Sequence, residues 1–218
     1  HALEIDARGV FQESGFERLR VRTGPSGAPE SYQINIGAET SSSLEVSADY
    51  MRVLGEALTL SLTGVQRLSH EDEDETIDEF DALAAPEDAF LVLDATDDGE
   101  SILRAQLDWD ASDAHAFEFA LEGAFNFLDG AFQLFEGLGD DRAEIEVPGG
   151  AARVEERRAD ASAQHVWRPA DSLTLETRLA IETSEISQTG DASRTRRFTF
   201  TKPYASAAWT PDDRTQWR

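Results

Sequence analysis

Apolar and polar residues alternate along this chain with period two, in runs too long for a loop and with the wrong spacing for a helix. Leu58, Leu60, Leu62 and Gly64 fall on one face, with Thr59, Ser61, Thr63, Val65 and Arg67 on the other. A longer run sets His115, Phe117, Phe119, Leu121, Gly123, Phe125 and Phe127 against Ala116, Glu118, Ala120, Glu122, Ala124 and Asn126. A third opposes Leu173, Leu175, Thr177, Leu179 and Ile181 to Thr174, Glu176, Arg178, Ala180 and Glu182. The pattern predicts strands over 15–23, 30–39, 44–53, 57–68, 100–109, 114–127, 156–167, 172–185 and 196–209, with a tenth starting near 214. Phe198 and Phe200 fall out of step with Ala205, Ala207 and Trp209, which predicts a bulge near Pro203.

Strands of soluble sandwiches usually run to about 5–6 residues, whereas a tilted membrane-spanning strand needs about 9–11. These runs are of the longer kind. Alternation by itself does not say what the apolar face meets: a second sheet in a sandwich, or lipid in a barrel.

The tryptophans bear on that choice. Trp109-Asp110-Ala111-Ser112-Asp113, Trp167-Arg168-Pro169-Ala170-Asp171 and Trp209-Thr210-Pro211-Asp212-Asp213 repeat one kind of short connection, and Trp217 lies four residues past the last Asp. The earlier turn Val53-Leu54-Gly55-Glu56 matches, with Arg52 in place of the tryptophan; successive turns are 57, 58 and 42 residues apart. Between them lie an acidic excursion over 69–100, a Gly- and Asp-rich one over 128–152 and a shorter one over 187–196. Short connections at one end, long ones at the other, and tryptophans gathered at the short end describe a membrane barrel with an interfacial aromatic girdle of Trp109, Trp167, Trp209 and Trp217. Glu118, Glu122, Glu176, Arg178 and Glu182 then line a wet lumen; in a sandwich they would be the solvent face.

Composition removes other classes. With 44 Asp+Glu against 19 Lys+Arg, the net charge of −25 opposes nucleic-acid phosphates. The absence of cysteine removes disulfide scaffolds, thiolate zinc sites and cysteine catalysis. At 40% hydrophobic residues the chain is no disordered acidic tail, and it has no run of about 18 apolar residues for a transmembrane helix. The opening at His1 lacks a signal-peptide pattern, and Arg214–Arg218 reads as a strand just begun, so a piece of a larger barrel is expected.

From 153 to 218, Val154-Glu155-Glu156-Arg157-Arg158, Trp167-Arg168-Pro169, Ile186-Ser187-Gln188-Thr189-Gly190-Asp191, Phe198-Thr199-Phe200-Thr201-Lys202-Pro203 and Trp209-Thr210-Pro211-Asp212 together resemble the barrel domain of TonB-dependent outer-membrane receptors. The resemblance covers about the last third of the chain well and the rest through strand pattern and Trp-turn spacing. It implies an antiparallel barrel of about 22 strands around a plug, importing a scarce nutrient such as a siderophore or metal chelate with energy delivered by TonB. Residues 1–218 would be part of that barrel domain; no plug or TonB-contacting box is identifiable in them, and no ligand-contacting residue carries over. Outer-membrane lipid, the TonB complex, a plug domain and a small-molecule ligand are the implied partners.

No catalytic signature appears. His1, His70, His115 and His165 are scattered, without HExxH or GxSxG, so neither an enzyme nor a cofactor is expected. His115 and His165 fall on the apolar face beside short turns, which suits an interface. A hydrolase built from a Ser and a His on the barrel wall is the enzymatic alternative. Between Arg67 and Arg104 there is no Lys or Arg, while 14 acids lie between Glu71 and Glu100. His70-Glu71-Asp72-Glu73-Asp74-Glu75 supplies oxygen ligands without the Asp/Asn/Gly order of a preformed Ca²⁺ loop, so a solvated external loop is expected there. A soluble acidic β-sandwich binding module and a passive porin are the competing readings of the whole. One Lys, Lys202, against 18 Arg suits a high-salt or GC-rich source for the former.

Overall fold

The computed structural model describes residues 1–139, 141–212 and 215–217. Among them ten strands form one antiparallel sheet: β1 (Ala2–Thr23), β2 (Pro29–Val53), β3 (Leu58–Asp81), β4 (Pro86–Ser112), β5 (His115–Glu136), β6 (Ala143–Ile145), β7 (Ala151–Ala170), β8 (Leu173–Gly190), β9 (Arg194–Asp212) and β10 (Thr215–Trp217). Each long strand pairs with its sequence neighbours, in the order β1-β2-β3-β4-β5-β7-β8-β9-β10; β6 pairs only with the upper end of β5. This up-and-down meander follows from the turns. Asp81 Oδ1 accepts the backbone N–H groups of Leu83 and Ala85, both at 2.8 Å, which holds Ala84 at φ 61° and reverses the chain between β3 and β4. At Gly27, φ 80° in the β1–β2 turn suits a residue without Cβ.

No second layer covers either face. The buried apolar residues are Ala89, Ala120, Ala124 and Ala180, and among the described residues no large side chain is fully buried. A sandwich of this size would enclose Leu, Ile and Phe between two sheets. Leu103 and Leu121 are instead 66% and 63% exposed. The sandwich architecture is therefore not the one this sequence forms.

Several boundaries differ from the sequence expectation. The segments 30–39 and 44–53 are one strand, β2, and β1 begins well before 15. The acidic stretch 69–100 is no loop: it completes β3 and opens β4 around a tight turn, in continuous register from His70↔Asp97 to Glu79↔Asp88. Much of 128–152 extends β5 and forms β6, and 187–196 is mostly the ends of β8 and β9. In each case backbone pairing overrides an unfavourable local composition, because a partner strand already runs alongside. There is also no bulge at Pro203: the β8–β9 register runs unbroken from Leu173↔Trp209 through Leu179↔Pro203 to Gln188↔Arg194. Phe198 and Phe200 are therefore truly on the face opposite Trp209. The expected start of the tenth strand near 214 lies outside the described residues; β10 is described from Thr215.

Candidate functional site

Register sorts the sheet into two faces. One carries Leu58, Leu60 and Leu62 of β3, Leu103, Leu107 and Trp109 of β4, Phe117, Phe119 and Leu121 of β5, Trp167 of β7, Leu173, Leu175, Leu179 and Ile181 of β8, and Trp209 of β9. Two of its polar interruptions are satisfied locally: Ser101 Oγ donates to Gln66 Oε1 at 2.7 Å, and Gln66 Nε2 donates to the Glu100 carbonyl at 3.2 Å.

This apolar face is a band with two borders. At the short-turn end, Trp109 pairs with Phe117, which pairs with His165; Trp167 stands two residues closer to the turn. Trp167 pairs with Leu175, which pairs with Ala207, and Trp209 again stands two residues closer to the turn. The aromatic border thus steps by two residues for every two strands. At the other border, charges begin at His70, Asp97 and Asp129, one row across β3, β4 and β5. Toward β9 the first charged row lies lower, at Arg157, Glu185 and Arg197, so both borders descend in the same direction.

Parallel slanted borders mean a band of constant height crossed by tilted strands. A step of two residues, about 6.6 Å, per two strands, about 9.6 Å, corresponds to a tilt of about 35°. Trp109 and Asp97 are twelve residues apart, Trp167 and Arg157 ten, and Trp209 and Arg197 twelve. At that tilt the borders stand about 27–33 Å apart, enough to bracket an apolar band of about 25 Å between aromatic girdle and headgroup-level charge.

The four tryptophans are all on this face, with Trp217 paired to Trp209, and each is more than 40% exposed. Trp109 and Trp167 are joined by a stack that sequence reading did not assemble. Trp109 stacks on Phe117 at 5.3 Å, Phe117 on His165 at 4.4 Å, and His115 on both His165 and Trp167. His115 Nδ1 and His165 Nε2 share a hydrogen bond at 3.0 Å, so each imidazole finds a polar partner among apolar rings.

The opposite face is a ladder of paired charges. Glu118 and Glu122 of β5 face Arg104 of β4 at 3.9 and 3.6 Å, and Glu122 is also met by Arg158 of β7 at 3.2 Å. Arg104 donates onward to Gln106, which donates to Asp108, both at 3.0 Å. On β8, Glu176 accepts from Gln164 at 3.0 Å, Glu182 from Lys202 of β9 at 2.6 Å, and Arg178 reaches Ser162 at 3.4 Å. All five sequence-selected residues are on this face. Their partners Arg104, Arg158 and Lys202 were missed, although strand parity places them there; only register says which pairs with which.

Beyond the charged border the run from His70 to Glu75 does not converge. Successive residues of a strand point to opposite faces, so His70, Asp72 and Asp74 separate from Glu71, Glu73 and Glu75. Among the described residues no group of three or more His, Asp or Glu is arranged to hold a metal. His70 lies between Asp97 and Asp72, each 2.8 Å from a ring nitrogen. Hydrogen bonds to Asp97 first, then Asp72, raise its pKa above the ordinary histidine value.

No protein-family model matches the sequence, and no curated protein matches it. Among solved structures the chain is similar to the copper transporter OprC, at 10% identity and a TM-score of 0.44 over 97% of this chain and 43% of that one. It is also similar to the ferric yersiniabactin uptake receptor FyuA from Yersinia pestis, at 11% identity and a TM-score of 0.39 over 83% of this chain and 27% of that one. A third is the ferric citrate transporter FecA in its unliganded form, at 8% identity and a TM-score of 0.40 over 96% and 42%. The chain spans less than half the length of each.

Proposed function

We propose that residues 1–218 are part of the barrel wall of a TonB-dependent outer-membrane receptor that captures and imports a scarce small molecule, such as a siderophore or other metal chelate. The observation that carries the membrane placement is the apolar band: one exposed sheet face, two borders slanting together, and a height suited to hydrocarbon. The assignment to receptors rather than passive porins rests on the sequence resemblance over 153–218.

In this reading Trp109, Trp167, Trp209 and Trp217 sit at the headgroups of the periplasmic leaflet, where the indole has an apolar body and one N–H donor. Arg153, Arg157 and Arg197 mark the outer leaflet. The ends of β3 and β4 rise past it as a charged extension. Glu118, Glu122, Glu176, Arg178 and Glu182 line the lumen wall, against which a plug domain would sit, and TonB would supply the energy. None of these wall residues is assigned a catalytic role.

Brominated-lipid quenching tests the membrane placement in the full-length protein. Emission from Trp109, Trp167 and Trp209 is expected to be quenched strongly and to similar extents; tryptophans shielded from the brominated chains would reject it. Uptake that stops when TonB is deleted supports the receptor, and uptake indifferent to TonB supports the porin.

A further inference from the structure

The polar face of β9 departs from the rest of the wall in two independent ways. The first is charge. From Arg194 to Pro211 the chain has four basic residues and no acid, in a protein of net charge −25, and its single lysine is here. Lys202 is engaged by Glu182, and Arg197 lies on the other face, bonded to Glu185. Arg194 and Arg196 face Gln188 and Ile186 across β8, so no carboxylate is directly opposite them.

The second is aromatic content. Between the two borders the polar face of β2 to β8 carries no aromatic ring among the described residues; it presents Asp, Glu, Gln, Arg, Ser and Thr with a few aliphatics. On β9 the same level carries Phe198, Phe200 and Tyr204, exposed by 36%, 48% and 47%. Phe198 and Phe200 lie side by side with ring centroids 6.2 Å apart and planes 7° from parallel, forming one continuous apolar surface. Rings on a wet wall gain nothing from water. They gain about 25 cal/mol per Å² from whatever apolar surface covers them.

Resting on the receptor reading above, we propose that Arg194, Arg196, Phe198 and Phe200 on the lumen face of β9 form a ligand-contacting strip selective for a planar polyanion. Its conjugated plane lies on the rings and its anionic groups meet the two guanidinium groups, whose planar donor forks suit carboxylate, sulfonate or phosphate oxygens. Of the acids on this face, Glu182 opposite Phe200 is engaged by Lys202, Glu156 of β7 lies two strand spacings from Arg196, and those of β4 lie farther still. Four strand spacings, about 19 Å, separate β4 from β9, roughly twice the screening length of physiological salt.

The test uses pyranine, a fluorescent aromatic trisulfonate, with the purified full-length protein in detergent, and aminomethylpyrene as the cation built on the same ring system. Pyranine is expected to bind, more weakly as salt rises, with aminomethylpyrene at least tenfold weaker. R194Q/R196Q should lose at least tenfold in pyranine affinity and most of the salt dependence, and F198L/F200L at least tenfold with the salt dependence kept. Either double variant binding pyranine within twofold of the parent would overturn the proposal, as would equal binding of the two dyes. Because binding in detergent needs neither TonB nor a membrane, its failure is distinct from failure of the receptor reading, which the quenching and TonB-deletion measurements decide.

Discussion

Leu103 and Arg104 are adjacent on β4 and meet opposite demands. Leu103 lies midway between Trp109 and Asp97 on the apolar face, 66% exposed, while Arg104 turns to Glu118 and Glu122 on the other. An arginine at Leu103 would enter the middle of the band. L103R is expected to lower the stability of the membrane-inserted protein by about 2–4 kcal/mol. The same introduction at Ala105, closer to the tryptophan border, should cost less, and equilibrium unfolding in lipid vesicles by denaturant would measure both. His70 gives a pH prediction. Its raised pKa means that the contacts with Asp97 and Asp72 stabilise the fold fully below the ordinary histidine pKa of about 6.5, and that this contribution fades as pH rises through the raised value. D97N should bring the His70 titration midpoint down toward the ordinary value, as followed by NMR of the ring protons.

At the scale of the element, the β3–β4 hairpin shows what strand parity can and cannot say. Alternation marked 57–68 and 100–109 because there one face is apolar and the other polar. Past His70 both faces turn acidic and the period-two signal vanishes, yet the pairing continues to Glu79↔Asp88. Backbone hydrogen bonds, which composition does not report, carry the strands on. The hairpin should therefore be ordered and outside the membrane. Residues 1–218 hold no cysteine, so labelling of an introduced thiol is read against the parent protein. D74C and D94C are expected to react with a membrane-impermeant maleimide on intact cells, whereas L103C and L121C stay unlabelled until lipid is removed. Labelling at Leu121 equal to that at Asp94 would contradict the band. Pro203 is the converse case: local composition suggested a bulge, but the unbroken β8–β9 register leaves Phe198 and Phe200 on the polar face.

For the whole molecule, the feature that sets behaviour is the open sheet. β1 has 22 residues and pairs along one side only, with β2, and among the described residues β10 pairs only with β9. Within hydrocarbon each unpaired backbone group costs several kcal/mol, so these edges require partner strands. Residues 1–218 produced alone are expected to give no heat-modifiable monomer on refolding into vesicles, and to recover one when the remaining strands are supplied; semi-native electrophoresis distinguishes the two.

The sequence by itself determined which residues share a face and where the apolar runs stop, because a strand fixes side-chain direction by parity alone. That was enough to place the tryptophans beside short turns on the apolar face and Glu118, Glu122, Glu176, Arg178 and Glu182 on the other. What only the tertiary structure decided is everything that depends on how far one strand is shifted against the next. Register joins Arg104, Glu122 and Arg158, brings His115 to His165, draws His70 between two aspartates, and turns separate borders into one slanted band. In each hairpin the register is set by turn type and loop length together with the face each strand presents, and a one-residue slip changes every pair, so the pairs are fixed only once the turns have folded.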